Sequence, residues 1–369
     1  MAAKTLITTR SREYDAFGRH SDLGELPEPE ALELLTKRRQ PQTEEETIAA
    51  TAIAAELGYH PLALDVAAAA LRYQPFVSFL DALREPSEDW LERLTAQLRD
   101  ELPNGHERSI ARTLSRSIDR LGDAGRDFLR LASVLAAAPV SGHLVTAVFA
   151  AVDGLDQRHA SERQLKALDD VRSLSLAEGA GELAWRVHAL VSRTVTFTDP
   201  APDRRAALRK AAIEILTAEL AAIVNPSAHA RLTDVMPHAR ELTGRANDED
   251  TVTLLGWVGR YDYERGDYQS ATTLFQRQLE TRQTLLGEEH PDTLTSLNNL
   301  AGTLWAQGDL TGARKLQEQV ADAHRRVLGD EHPATLTSLG NLAALRQLEA
   351  GRSGGSVRRR GGWLERRRD

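Results

Sequence analysis

The amino-acid sequence predicts a mainly α-helical protein, and two observations carry this prediction. Of the 369 residues, 41% are hydrophobic but only 5% are aromatic. A core must therefore be built from alanine, leucine and valine, which suits closely packed helices better than sheets. The C-terminal third also repeats itself, because the stretch LGEEHPDTLTSLNNLA begins at Leu286 and LGDEHPATLTSLGNLA begins at Leu328, 42 residues later. A period of this length is typical of stacked helical hairpins.

Composition and charge exclude several classes of protein. The chain has no cysteine, which excludes disulfides, thiolate catalysis and cysteine-based zinc sites and favours a reducing compartment. Its net charge of −8 argues against a generally nucleic-acid-binding surface. The N-terminus has no apolar stretch of signal-peptide length, and the low-charge run 131–151 is interrupted by Pro139 and Gly142. We therefore expect a cytoplasmic protein with no membrane partner.

The N-terminal segment predicts one strand followed by three helices. Residues 5–9 are a short β-branched run that ends at Arg10 and is typical of a strand. The first helix begins in the Pro-Glu-Pro-Glu run at residues 27–30, where acidic side chains suit the positive end of a helix. The second helix covers residues 47–57. The third begins at Pro61, since proline in the first turn of a helix removes no helical hydrogen bond.

The next segment predicts more helices and then a small β-hairpin. Amphipathic helices are expected at residues 109–121, 126–135, 141–151 and 161–171. Residues 173–176 and 183–187 are expected to pair as strands, with Gly179 and Gly181 in the turn between them. Helices followed by such a hairpin indicate a winged-helix domain. A helical connector is expected to follow, from residue 202 to residue 244.

Residues 297–328 show how one repeat unit is built from two helices and a turn. Leu297, Leu300 and Leu304 follow helical spacing and make one apolar face. Gly308 is expected to end this helix, because glycine readily takes the left-handed conformation that terminates helices. A second helix then packs against the first through small alanine side chains. Each unit is therefore one helical hairpin with two apolar faces.

These residues resemble the 42-residue tetratricopeptide repeats of kinesin light chains and of many bacterial signalling proteins, over about residues 251–350. The resemblance implies a mainly α fold that ends in a short α-solenoid. It also implies that a protein or peptide ligand binds along a concave groove lined by the first helix of each hairpin. By position, the side chains in this groove are Arg260, Tyr263, Asn298, Asn299 and Trp305. The alternative interpretation is that these are ordinary exposed or capping residues.

The N-terminal motifs resemble the second half of the NB-ARC module of STAND-type signal-transduction NTPases. The resemblance rests on the Thr-Thr-Arg strand, the acidic helix and the run 58–61, which reads Gly-Tyr-His-Pro. It implies that Arg10 senses the terminal phosphate of a nucleotide and that Pro61 packs near adenine. It also implies that His188 contacts the diphosphate of ADP, although Ala189 stands where the Met-His-Asp motif of the family has aspartate.

The motifs of catalysis are missing from the sequence. No lysine follows a glycine, so there is no Walker A loop to reach the terminal phosphates of ATP. There is also no His-Glu-x-x-His metal motif and no Gly-x-Ser-x-Gly nucleophile elbow. We therefore predict a protein that is not an enzyme and has no metal site. No resident cofactor is expected, and ADP binding would require another chain to complete the nucleotide pocket.

The sequence predicts a domain order and a basic end. The expected parts are a nucleotide-binding remnant at 1–22, an ARC-like helical subdomain at 23–105, a winged-helix-like domain at 106–200, a connector at 201–248, repeats at 249–350 and a basic tail at 351–369. The tail carries a net charge of +5. It is interpreted either as a nucleic-acid or lipid contact or, preferably, as the disordered end of a shifted or truncated reading frame. The chain is expected to be a piece of a longer architecture.

The favoured function is that of a regulatory or adaptor protein that binds protein or peptide partners through its repeats. Two alternatives remain open from the sequence. One is an ADP- or ATP-dependent conformational switch in signal transduction. The other is a DNA-binding transcriptional regulator that uses the winged helix. A homo-oligomer is compatible with all three functions.

Overall fold

The structure is a computed structural model that describes residues 26–59, 61–84, 117–174, 176–181, 183–222, 232–244 and 246–352. The chain forms two compact units, Met1–Arg209 and Lys210–Asp369. The described residues contain fifteen helices and three short strands, so the predicted mainly helical fold is confirmed. The predicted strand before Arg10, the first residues of the predicted helix 109–121 and the basic tail lie outside the described residues.

Four helices pack together near the start of the first unit. They are α1 (Glu28–Thr36), α2 (Glu44–Glu56), α3 (Pro61–Ala70) and α4 (Phe76–Arg84). The side chain of Thr43 accepts a hydrogen bond from the amide of Glu46 and so caps α2. Leu35, Ile53 and Phe76 are fully buried in the core of this group. Burial of such large apolar side chains is the main force that holds short helices of this kind together.

The rest of the first unit combines helices with a small sheet. Its elements are α5 (Asp123–Ala132), β1 (Val140–Ser141), α6 (Gly142–Asp153), α7 (Gln157–Ser173), β2 (Ala177–Gly179), β3 (Ala184–Val187) and α8 (Ala189–Thr198). The strands form an antiparallel sheet in the order β1-β3-β2. Val140 lies opposite Trp185, and Ala177 lies opposite Val187. The expected hairpin is thus present, with a third short strand added at its edge.

The first strand of the hairpin begins later in the structure than the sequence pattern predicts. Residues 173–176 were expected to be extended, but Ser173 is the last residue of α7 and β2 begins at Ala177. The apolar helical spacing of Ala167, Leu168 and Val171 continues the helix to this point, and all three side chains are buried. Burial of the helix face therefore outweighs the local preference for a strand.

An ionic cluster centred on the buried Asp127, which we call the Asp127 cluster, connects four helices of the first unit. Its members are Asp127, Arg130, Asp153, Arg163, Asp199 and Arg204. The carboxylate of Asp127 is 2% exposed and accepts hydrogen bonds from Arg130 at 2.9 Å, Arg163 at 2.7 Å and Arg204 at 2.7 Å. Arg204 belongs to α9 (Pro202–Ala222), the helix within which the chain passes from the first unit to the second. Three arginines and three aspartates balance in charge, which a buried cluster requires.

The second unit consists of stacked helices. They are α10 (Met236–Leu242), α11 (Glu249–Glu264), α12 (Tyr268–Leu286), α13 (Pro291–Gln307), α14 (Leu310–Leu328) and α15 (Pro333–Arg352). Consecutive helices from α11 to α15 pack against each other as helical hairpins. The predicted turn is confirmed, because Gly308 has φ +93° and Asp309 caps α14 by accepting from the amide of Gly312. One repeat earlier, Asp267 caps α12 in the same way.

The repeat cores are small and lie between neighbouring helices. One apolar cluster joins α12, α13 and α14 through buried residues that include Phe275, Leu297 and Val320. A second cluster joins α14 and α15 through Ala313 and Leu345. Each core is therefore made by helices that are adjacent in sequence, as in solenoid proteins.

Candidate functional site

The candidate binding surface, called here the first-helix face, lies on α11, α13 and α15, the first helices of successive hairpins. It consists of the five predicted groove residues, of Trp257 and Asn341, which occupy the repeat position of Asn299, and of Glu264, which bonds to Arg260. Its members are Trp257, Arg260, Tyr263, Glu264, Asn298, Asn299, Trp305 and Asn341. The structure shows which of these side chains are available for a partner and which are occupied in packing.

Trp257, Arg260 and Glu264 form a row along α11. They are spaced three and four residues apart, so they lie on one side of the helix. The Nε of Arg260 donates to the Oε1 of Glu264 at 2.9 Å, and its Cζ lies 5.6 Å from the centroid of the Trp257 ring. The guanidinium is thus held between a carboxylate and an aromatic face. This pairing neutralises the one predicted cation of the groove.

Tyr263 is a packing residue as well as a surface residue. It is half-buried against the cluster that contains Phe275 and Leu294, and its ring centroid lies 5.4 Å from that of Tyr268. Burial, together with the neighbouring Tyr268, raises the pKa of the Tyr263 hydroxyl above its usual value. The hydroxyl therefore stays protonated at neutral pH and can donate a hydrogen bond.

Asn298 is positioned by a residue that the sequence interpretation missed. The Nε2 of the fully buried Gln317 donates to the Oδ1 of Asn298 at 2.5 Å. Gln317 occupies the repeat position at which the preceding hairpin has Phe275, so a buried amide replaces an aromatic ring. The 42-residue step could have found it, because glutamine is an unusual residue for a core position. The bond fixes the orientation of the Asn298 amide.

Asn299 is half-buried, and within the described part of the chain no hydrogen bond of its side chain is present. The 42-residue step relates it to Trp257 and to Asn341, both of which are also half-buried. The sequence interpretation included Asn299 but missed these two. The repeat period itself was the signal that could have found them.

Trp305 lies at the C-terminal end of α13. Its ring is half-buried against the apolar cluster of Leu310, Ala313 and Leu345. Part of this side chain therefore serves to join the second hairpin to α15. The remainder stays at the surface of the first-helix face.

A second candidate site lies in the first unit, where the structure brings the run before Pro61 against His188. Gly58 and Tyr59 both have positive φ, +60° and +53°. A Cβ at Gly58 would lie 3.0 Å from the Cε1 of His188 and 2.9 Å from the Cβ of Ala189. Only a glycine permits this close approach. A left-handed tyrosine is uncommon, which marks the turn as constrained.

His188 is held at the start of α8. Its Nδ1 accepts a hydrogen bond from the amide of Leu190 at 3.2 Å, which orients the ring. Pro61 begins α3 as predicted and is exposed. Arg10, the third predicted nucleotide contact, lies outside the described residues. The roles assigned to these three residues stay predictions.

Two kinds of feature are absent from the described residues. Among the residues with assigned placement, no group of three histidine, aspartate or glutamate side chains could hold a metal ion. In the same part of the chain, no helix is both long and apolar enough to cross a lipid bilayer.

Comparison with known proteins supports the repeat assignment. Residues 258–292 and 293–334 match the tetratricopeptide repeat family, so the C-terminal part of the chain contains tetratricopeptide repeats. The chain is also 40% identical, over 68 residues, to a nucleotide-binding leucine-rich repeat (NLR)-like protein of Hyaloscypha variabilis. That alignment covers 17% of this chain and 7% of the fungal protein. The chain thus matches only a small part of its relative.

Proposed function

We propose that this protein is a non-catalytic adaptor or regulator that binds an extended segment of a protein partner along the first-helix face. The observation that carries the proposal is the 42-residue series Trp257, Asn299 and Asn341, which presents half-buried aromatic and amide side chains at equal steps. Tetratricopeptide repeats commonly bind protein partners, which supports this assignment.

The chemistry of the face favours an extended and uncharged peptide. An asparagine amide offers both a donor and an acceptor, so it can pair with the N–H and C=O of a peptide backbone. Trp257 adds a large apolar surface that loses little conformational entropy on binding. Arg260 is paired with Glu264, so the face carries little net charge for a charged ligand.

A peptide-display selection against the full chain tests the proposal. We expect the selected peptides to share an uncharged motif and to lose at least about tenfold in affinity in the Asn299→Ala, Asn341→Ala double variant. Glu280→Ala is the matched control, because Glu280 is an exposed residue of a second helix, α12. Equal affinity of the selected peptides for the double variant and the control would contradict the proposal.

A nucleotide-dependent switch is the second candidate. The close approach of Gly58 to His188 favours it, because the turn that leads to Pro61 then lies beside the residue expected to contact the diphosphate. The similarity to an NLR-like protein agrees with a role in signalling. Equilibrium dialysis with radiolabelled ADP distinguishes the two functions. A dissociation constant below about 10 μM that is lost in His188→Ala would support the switch, and weaker binding would support the adaptor.

DNA binding through the winged-helix region has less support. Near the start of α7, Arg158 forms an ion pair with Glu162, and His159 contacts Asp156. A surface of mixed charge gives little of the counterion release on which DNA affinity depends. Salt-dependent binding of a DNA duplex to the full chain would reverse this ranking.

A further inference from the structure

A cavity of about 270 Å³ lies within the first unit, where the start of α5 meets the end of α8. Four of the residues that line it are charged, namely Asp119, Arg126, Arg130 and Asp199. We call it the Arg126 cavity. Most ligand pockets have volumes of about 300–1,000 Å³, so this cavity suits a small molecule rather than a large cofactor.

Asp199 and Arg130 are joined to each other in the wall of the cavity. The Nε of Arg130 donates to the Oδ1 of Asp199 at 2.9 Å, and the amide of Ala201 donates to the same oxygen at 3.2 Å. The Asp199 side chain is 3% exposed, and its Oδ2 is buried and accepts no hydrogen bond from any described residue. A buried carboxylate oxygen without a donor is costly. The wall of the cavity therefore has an unsatisfied acceptor.

Arg126 and Asp119 lie side by side but leave their charges unpaired. The Nη2 of Arg126 donates to the backbone carbonyl of Asp119 at 2.7 Å, which holds the guanidinium near this residue. Among the described residues, neither side chain forms an ion pair. The four lining charges sum to zero, so a ligand with a net charge gains little from them. A ligand that carries one charge of each sign can pair with both Arg126 and Asp119.

We propose that the Arg126 cavity binds a free α-amino acid with an aliphatic side chain. The carboxylate of the amino acid pairs with the Arg126 guanidinium, whose planar N–H groups suit a carboxylate. The ammonium group has three donors, so it can pair with the Asp119 carboxylate and supply the donor that the Asp199 Oδ2 lacks. Asp199 directly follows α8, and the negative end of the helix dipole there also favours an ammonium group.

The apolar lining of the cavity selects the side chain of the ligand. It includes Ile118, Val195 and Pro200, which offer no hydrogen-bonding side chain. An aliphatic group gains free energy by leaving water for such a surface, whereas a charged group loses it. L-leucine is therefore the probe of choice. The cavity belongs to the first unit and the first-helix face to the second, so this proposal does not depend on the adaptor function.

Isothermal titration calorimetry of the full chain with L-leucine tests the proposal. We expect a dissociation constant between about 10 μM and 1 mM, as suits a ligand of so few atoms. Isoamylamine is leucine without its carboxylate, and isocaproate is leucine without its ammonium group. Each should bind at least about tenfold more weakly than leucine. No binding of leucine at about 10 mM, or an analogue that binds as tightly as leucine, would overturn the proposal.

Two substitutions test whether leucine binds at this cavity. Arg126→Gln and Asp119→Asn should each weaken leucine binding at least about tenfold. Asp119 is exposed and its side chain has no ion pair to lose, so this variant should fold even if Arg126→Gln does not. The matched controls are Arg172→Gln and Asp169→Asn, two exposed positions on α7. Leucine affinities of Arg126→Gln and Asp119→Asn equal to those of their controls would overturn the proposal.

Discussion

The two compact units satisfy their buried polar groups in different ways. In the first unit, Asp127 draws together residues that are far apart in sequence, and Arg204 lies 77 residues from it. In the second unit, buried polar groups pair over shorter separations, as Gln317 does with Asn298 at 19 residues and Asp262 does with Arg240 at 22 residues. The first arrangement concentrates stability at one carboxylate, whereas the second distributes it over many short-range contacts.

This difference has a physical consequence for how each unit responds to damage. A buried charge that loses its partner costs several kcal/mol, because the remaining charges stay desolvated. In a solenoid, stability is approximately a sum of terms from each repeat and its neighbours. We therefore expect the first unit to be sensitive to one residue and the second to change in small steps.

The largest expected effect follows from removing Asp127. Asp127→Ala leaves Arg130, Arg163 and Arg204 facing each other without their shared carboxylate, and should destabilise the first unit by about 3–5 kcal/mol. Urea denaturation, monitored by hydrogen exchange of the α5 amides, would measure this loss of stability. Glu162→Ala, which breaks an exposed pair with Arg158, should cost less than about 0.5 kcal/mol. Similar costs for the two variants would show that the first unit does not depend on this one carboxylate.

Acid should affect the first unit through the same carboxylate. Burial tends to raise the pKa of Asp127, but the hydrogen bonds and charges of Arg204 and Arg130 outweigh it and hold the pKa below its usual value of 3.8. A lowered folded pKa means that the stabilisation is complete above the unfolded pKa and is lost as pH falls through the folded value. Stability of α5 should therefore decline below about pH 4, and the decline should be smaller in Asp127→Asn. An identical acid profile for the two proteins would contradict this.

Two glycine substitutions should have opposite and smaller effects in the second unit. Gly308 has φ +93°, so Gly308→Ala should cost about 1 kcal/mol. Gly340 lies in α15 with open space around a Cβ, so Gly340→Ala should stabilise the unit by about 0.5–1 kcal/mol. Thermal denaturation of the two variants and of the wild-type chain would compare their stabilities. A loss of stability in both variants would contradict the gain expected for Gly340→Ala.

The smallest expected effect concerns Gln317. Its Oε1 is buried and has no hydrogen-bond partner among the described residues, so Gln317→Leu should change the free energy of unfolding by no more than about 1 kcal/mol. The same variant frees the Asn298 amide and should weaken binding of a selected peptide several-fold. A large loss of stability would show that this amide is as essential to its unit as Asp127 is to the first.

The candidate sites were only partly predictable from the sequence. The repeat period located the first-helix face, and Arg260 and Asn299 lie at its surface. The same period could not show that Tyr263 and Trp305 are partly occupied in packing, because that depends on the apolar clusters beside them. Local sequence patterns could not predict that Gly58 lies close to His188, because the two residues are far apart in the sequence.

The sequence by itself determined the helical class, the 42-residue hairpin and its glycine turns. These features are local, because apolar spacing, capping side chains and glycine conformation act within a few residues. The tertiary structure decided which side chains are covered. Leu294 and Leu336 have nearly identical sequence surroundings, yet one is 4% and the other 57% exposed. Burial is set by the neighbouring helices in space, and so are the ion pairs of Asp127, so neither can be read from the segment that carries the residue.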